Sequence, residues 1–261
     1  MELWHSLLVF FAGLWAGTIN SVVGSGTLVT FPVLVAIGVA PVSASVSNAM
    51  GLVAGNVSGA WGYRKQLVGT RNVLLKLMPA SVLGGITGAW LLLHLPETVF
   101  QYAAPVLIVV ALLMVLFQPR LQRWVQLRRD DPKVVSEQGK HGVALVTLVF
   151  LAGVYGGYFF AAQGILLVGI LGIFMAGSIQ VANAMKNVLV LAVNMVAAIS
   201  YLLFAFGRIN WHVVLLIAVS SLIGGIVGSK VGQRLKPSVL RGVIFALGVV
   251  ALVVMISKLL A

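Results

Sequence analysis

The chain has no cysteine and only five acidic residues, against 17 lysines and arginines in 261 residues. The missing thiols exclude disulfide frameworks, thiolate metal sites and cysteine nucleophiles, and leave the redox compartment open. Charged residues of both signs make up 8% of the chain, whereas a soluble domain carries about 25%. That is too little polar surface to face water. What is present instead is apolar: 61% of residues are hydrophobic and the mean hydropathy is +1.10. The chain therefore reads as an integral membrane protein in contact with the lipid bilayer. The formal charge of +12 does not point to nucleic acid, because the basic residues lie in short loops between apolar runs and not on one face of a domain. The N-terminal "MELWHSLLVFFAGLWAG" has no basic leader and no small-residue cleavage site, so a retained first span is expected and not a signal peptide. No segment is long or polar enough for a catalytic domain outside the membrane, and no enzyme is expected.

Ten helical elements are expected, at about 4–23, 27–39, 42–63, 72–94, 98–117, 142–162, 165–177, 179–206, 212–230 and 239–259. A span needs about 20 apolar residues, so the short second and seventh elements read as half-helices or parts of broken helices. The runs are too long and too uniformly apolar for a β-barrel. A basic segment, "QPRLQRWVQLRRDDPKVVSEQGKH", divides the chain. It gives a first transmembrane repeat at 1–118, a basic linker at 119–141 and a second repeat at 142–261.

The two halves resemble each other. "FAGLWAG" at Phe11–Gly17 matches "LAGVYGG" at Leu151–Gly157, "SNAMG" at Ser47–Gly51 matches "ANAMK" at Ala182–Lys186, and "SVLGGITG" at Ser81–Gly88 matches "SLIGGIVG" at Ser221–Gly228. In the first half the loop before the "SVLGG" helix is basic (Arg64, Lys65, Arg71) and the loop after it is not. In the second half the order reverses, with Arg208 before and Lys230, Arg234, Lys236 and Arg241 after. Basic loops stay cytoplasmic, so equivalent helices are expected to run in opposite directions. The fold class expected is an all-α polytopic membrane protein of two inverted-topology repeats, each of about five helical elements with broken or half-helices near the glycine-rich breaks. Both termini would lie outside and the central basic loop in the cytoplasm. Inverted repeats are a transporter signature, because the halves can exchange roles as a site opens to either side.

The acids Glu2, Glu97, Asp130, Asp131 and Glu137 fall at a terminus or in loops, so no carboxylate proton relay is expected. One basic residue lies deep in an apolar run: Lys186, in "VANAMKNVLVLAVN". An intramembrane ammonium costs at least ~2.5–3.5 kcal/mol to insert and is a functional candidate by default; the alternative is a structural pairing with carbonyls at a helix break. At 100° per residue Asn183, Lys186, Asn187 and Asn194 share one side of a helix, and Ser45, Asn48 and Asn56 form a comparable stripe in the first half. Interhelical hydrogen bonding is the alternative use of each asparagine. The breaks "NSVVGSGTLVTFP" and "FFAAQGILLVG" would present backbone amides at helix starts, where anions bind. Gly24, Ser25, Gly26 and Thr27 in the first, with Gln163 and Gly164 in the second, would complete a site for a small anionic substrate. A tight turn at the membrane surface is the alternative for either break. Cofactors and metals are not expected. Gly13/Gly17, Gly84/Gly88, Gly153/Gly157 and Gly224/Gly228 form small-residue faces, which serve packing within one chain or a homodimer equally, so monomer and homodimer both stay open. Ser25 has no buried histidine partner that would make it a nucleophile.

The break after the first helix, "SNAMGLVAGNVSGAWGYRKQL" and "ANAMKNVLVLAVN…GRINW" together resemble the sulfite exporter TauE/SafE family over nearly the whole chain. That resemblance implies a permease of the bacterial inner (cytoplasmic) membrane that moves sulfite or organosulfonates, commonly outward. It places Asn48, Asn183, Lys186, Asn187 and the breaks around Gly24 and Gly164 in the family's motifs. Where the resemblance would put a second lysine, after Asn48, this chain has Ala49, so one intramembrane lysine is expected instead of two. Efflux of an anion from an inside-negative cell releases about 2.3 kcal/mol per charge per 100 mV and needs no coupled ion, although asparagines and carbonyls can also hold sodium. An anion channel of the same architecture, or a transporter of another small organic anion, are the alternative functions.

Overall fold

The computed structural model describes residues 2–129, 142–175, 178–230 and 237–260, and the regular structure in them is helical throughout. The first half comprises α1 (Leu3–Val22), α2 (Thr27–Ala36), α3 (Pro41–Gly62), α4 (Arg71–His94) and α5 (Glu97–Arg129). The second comprises α6 (Gly142–Phe159), α7 (Gln163–Phe174), α8 (Ile179–Phe204), α9 (Trp211–Lys230) and α10 (Pro237–Leu260). Among the described residues, α1, α4, α5, α6, α8 and α9 are long and apolar enough to cross a membrane. α3 is as long, but its serines, asparagines and glycines make it more polar, and it is enclosed by other helices.

Local chemistry sets the ends. α1 stops at Gly24, whose φ of +88° is left-handed and whose N–H reaches back to the Ile19 carbonyl at 3.1 Å, a glycine C-terminal cap. α2 ends in the same way at Gly38, with the Val39 N–H on the Leu34 carbonyl at 3.0 Å. Pro41 opens α3 at a position where its missing N–H costs nothing. Ser178 caps α8 through the Val181 N–H, and Asn210 caps α9 through the Val213 N–H at 3.2 Å.

Four helices have ends that differ from expectation by more than two residues; α2 stops at Ala36 and not at 39, where Gly38 turns left-handed. α6 ends at Phe159 and not near 162, because Phe160 and Ala162 take left-handed backbone at φ 64° and 59°; α7 consequently starts at Gln163 and ends at Phe174. α5 does not stop at 117: it runs through Pro119 to Arg129, so the first part of the expected linker is helical. Arg120 and Arg123 are exposed, consistent with a helix leaving the apolar layer and carrying its charges into the polar one. The rest of the linker, including Asp130, Asp131, Lys133, Glu137, Lys140 and His141, lies outside the described residues, as do Arg234 and Lys236.

The packing is reciprocal between the halves. α1 lies against α9 and α4 against α6; α3 lies against α9 and α4 against α8; α2 lies against α10 and α5 against α7; α3 meets α8, and α5 meets α10. Each partnership recurs when every helix is replaced by its counterpart in the other half. The glycine faces make these seams. A Cβ on Gly17 would stand 2.8 Å from the Ser221 Cα, and one on Gly84 would stand 2.9 Å from the Gly153 Cα. Register along both seams ascends together, so α1 runs parallel to α9 and α4 parallel to α6. The small-residue faces open to dimerisation in the sequence are thus used within one chain. The apolar interior falls into a larger cluster around α1, α2, α3 and the break after α6, and a smaller one between α4, α7 and α8.

Candidate functional site

The two breaks meet. The Gly164 N–H donates to the Gly24 carbonyl at 3.1 Å, and a Cβ on Gly24 would stand 2.6 Å from the Gly164 Cα. Left-handed backbone and this close approach both require glycine at position 24. Both breaks are enclosed by protein: Gly24, Ser25, Gly26, Thr27, Gln163 and Gly164 are all buried. Irregular backbone shut away from water needs protein partners for its polar groups.

Those partners come chiefly from one stripe of α8. The Lys186 ammonium is wholly buried and donates to the Asn20 carbonyl at 3.0 Å and the Ser21 carbonyl at 3.4 Å. Asn187 Nδ2 donates to the same Ser21 carbonyl at 3.4 Å, and Asn183 Nδ2 to the Val22 carbonyl at 3.3 Å. Together they cap the last turn of α1, where unpaired carbonyls carry about half a negative charge. Of the two uses open to Lys186, the structure displays the pairing with carbonyls at a helix break. An ammonium has three donors, so one N–H remains beyond these two bonds. Lys186 is the one lysine or arginine among the described residues that is fully buried.

Asn20 is the residue that sequence reasoning missed. Its carboxamide donates to Asn56 Oδ1 in α3, and its Oδ1 accepts from the Gly26 N–H at 3.4 Å. One side chain thereby ties α3 to the first amides of α2, while the backbone carbonyl of the same residue holds Lys186. The signal was available: an asparagine in the final turn of an apolar span, four residues before a glycine break.

The expected site residues separate into three groups. Asn183, Lys186 and Asn187 converge on α1, with Asn56 joined through Asn20. Asn48 and Thr27 bond to each other and not to Lys186: Asn48 accepts from Thr30 Oγ1 and donates to Thr27 Oγ1 at 3.2 Å, which fastens α2 to α3. Thr30 was not anticipated. Ser25 Oγ, Ser45 Oγ, Asn194 Oδ1, Asn56 Nδ2 and both polar atoms of the Gln163 carboxamide are buried without a hydrogen-bond partner. Each unmet group costs ~1–3 kcal/mol, and Ser25 and Gln163 stand at the breaks themselves. The Gly164 amide, expected to face an anion, is occupied by Gly24.

Two helix breaks and a buried lysine thus meet between the halves. The family model described as "Sulfite exporter TauE/SafE" matches residues 9–255. The chain belongs to the sulfite exporter TauE/SafE family. Curated relatives carry names of the same class. It is 25% identical over 255 residues to "Probable membrane transporter protein YfcA" of Escherichia coli (strain K12), covering 97% of this chain and 88% of that one. It is 27% identical over 223 residues to "Probable membrane transporter protein ORF9" of Sinorhizobium sp, covering 85% and 81%. It is 26% identical over 235 residues to a "Probable membrane transporter protein" of Haemophilus influenzae, covering 90% and 88%. No solved structure matches the chain. As a TauE/SafE member it is a multi-pass membrane transporter, and the converging polar groups lie where its two halves touch.

Proposed function

We propose that the protein carries a small sulfur oxyanion, sulfite or an organosulfonate, outward across the cytoplasmic membrane, and that Lys186 supplies the charge that receives it. The observation that carries this reading is the position of the ammonium: fully buried, at the meeting of two helix breaks, with a donor still unused. An anion entering from the side of the half-buried Asn20 and Asn183 meets that donor, the carboxamides of Asn183 and Asn187, and the hydroxyl of Ser25. Sulfite and sulfonates spread negative charge over several acceptor oxygens, which suits such a donor set.

Binding would also loosen the cradle. The ammonium cannot be fully shared between α1's carbonyls and an anion, so a bound anion weakens the cap on α1 and frees the break at Gly24 to shift. In this reading the halves are inverted repeats that rock against each other. Supporting it are the reciprocal partnerships of the helices and the charge distribution. Arg64, Lys65, Arg71, Lys76, Arg120, Arg123 and Lys230 belong to the helix ends of one face, which the positive-inside rule makes cytoplasmic. Glu97 and Arg208 pair at the opposite ends, at 3.5 Å.

The test is thermal stability of the purified protein against sulfite, thiosulfate, several sulfonates, sulfate, phosphate, nitrate and carboxylates at equal ionic strength. A ligand at a hundredfold excess over its Kd stabilises by about 2.7 kcal/mol. Selective stabilisation by a sulfur oxyanion is expected; a flat response to every anion refutes the assignment.

A further inference from the structure

An open groove of about 520 Å³ runs between α5 and α7, lined by Leu113, Met114 and Phe117 on one side and Leu166, Gly169, Ile170 and Ile173 on the other. No polar side chain contributes to it. The groove's depth in the membrane follows from α5 itself. Glu97 begins that helix and pairs with Arg208 at one face. At 1.5 Å per residue, the 30 Å apolar layer is crossed in about 20 residues, which brings the opposite interface to the neighbourhood of Phe117. The groove from Val110 to Leu121 is about 16 Å long on the same rise, the reach of one lipid chain within one leaflet.

At its interfacial end stands a charge. The exposed Arg120 guanidinium lies 5.4 Å from the centre of the Phe117 ring, a lining residue, and Arg123 follows three residues on, also exposed. Stacking on Phe117 holds the guanidinium at the mouth. Apolar walls ending at an arginine of the basic face match a phospholipid and favour an anionic one; arginine also suits phosphate geometry.

We infer that the α5–α7 groove is a binding site for one anionic phospholipid, its acyl chain against Phe117 and Ile170 and its phosphate at Arg120 and Arg123. Ile165, two residues into α7 from Gln163, also lines the groove. A bound chain would therefore brace the half-helix whose first turn bears on Gly24. This inference rests on the membrane-spanning fold and does not depend on the identity of the transported anion.

The experiment is native mass spectrometry of the full chain in detergent, titrated separately with phosphatidylglycerol and with phosphatidylcholine of the same acyl composition. One phosphatidylglycerol should be retained with at least fivefold preference. R120Q/R123Q, an exposed change, should reduce that preference to parity. Gly169→Leu and Leu113→Trp, which each enlarge a lining side chain, should each lower retention of both lipids. Equal retention of the two lipids by wild type overturns the site, as does a preference that survives R120Q/R123Q or retention unchanged in both groove variants. Glycerol phosphate distinguishes a free anion from a lipid: if it competes as well as the whole phospholipid, the groove is not the determinant and the inference fails.

Discussion

Replacing Lys186 separates its two possible duties, because they leave different traces. In the observed arrangement the ammonium satisfies two carbonyls of α1's last turn, at 3.0 and 3.4 Å. Lys186→Met keeps the aliphatic stem and deletes both bonds. Hydrogen bonds to charged groups contribute ~1.5–3 kcal/mol each, and an abandoned buried carbonyl costs ~1–3 kcal/mol. The buried charge itself was expensive, so removing it returns part of that loss. The Ser21 carbonyl keeps Asn187, which confines the main penalty to Asn20. A net destabilisation of about 1–2 kcal/mol is expected on those figures. The assay is thermal unfolding in detergent with and without sulfite at about a hundredfold excess over the wild-type Kd. Wild type should gain about 2.7 kcal/mol from the ligand; Lys186→Met should unfold earlier and gain almost nothing. A variant that unfolds earlier yet keeps the full ligand gain would refute the reasoning, since Lys186 would then be a helix cap alone.

Other positions give sharper or milder effects. Gly24→Ala should destabilise by at least ~1–2 kcal/mol from left-handed backbone alone, and more from its collision with Gly164, seen as a lowered unfolding temperature that Gly38→Ala, with open space around it, reproduces only in its backbone part. Asn20→Ala should cost ~1–3 kcal/mol, because the Asn56 acceptor and the Gly26 amide lose a partner together, and it should lower transport more than Thr30→Ala, which acts only on the α2–α3 tie. Gly84→Leu should separate α4 from α6 and cost ~1–3 kcal/mol or more by overpacking, measured as loss of folded protein in size-exclusion chromatography. Glu97→Gln removes a half-exposed ion pair and should change stability by no more than ~1 kcal/mol.

The helical elements were legible because apolar runs alternate with glycine, proline and basic punctuation, and that alternation is what a bilayer imposes. α5 outruns its apolar stretch because its last turns carry glutamine and arginine, which end an apolar run without ending a helix. α6 stops short of its apolar run for the opposite reason: Phe160–Ala162 stays apolar while Phe160 and Ala162 turn left-handed, and no residue type there announces it. Lys186, Asn183 and Asn187 were found through their charge, their polarity and their helical spacing. Their partners were not, since a carbonyl of Asn20, Ser21 or Val22 has no side-chain signature. The amides that open α2 and α7 are the donors the sequence suggests, whereas the observed hydrogen bonds concentrate on the carbonyls that close α1. The contact between Gly24 and Gly164 depends on how two halves dock, and spacing within either half does not encode it.

The most direct test of the central claim is counterflow in proteoliposomes of phosphatidylglycerol and a zwitterionic lipid, loaded with unlabelled sulfite and diluted into labelled sulfite. A carrier working at the Lys186 cradle predicts transient, saturable accumulation of label, competed by sulfonates and abolished by Lys186→Met. Label that only equilibrates, at a rate linear in concentration and unchanged in Lys186→Met, would contradict the account and leave the polar groups of α8 as the fastening of a broken helix.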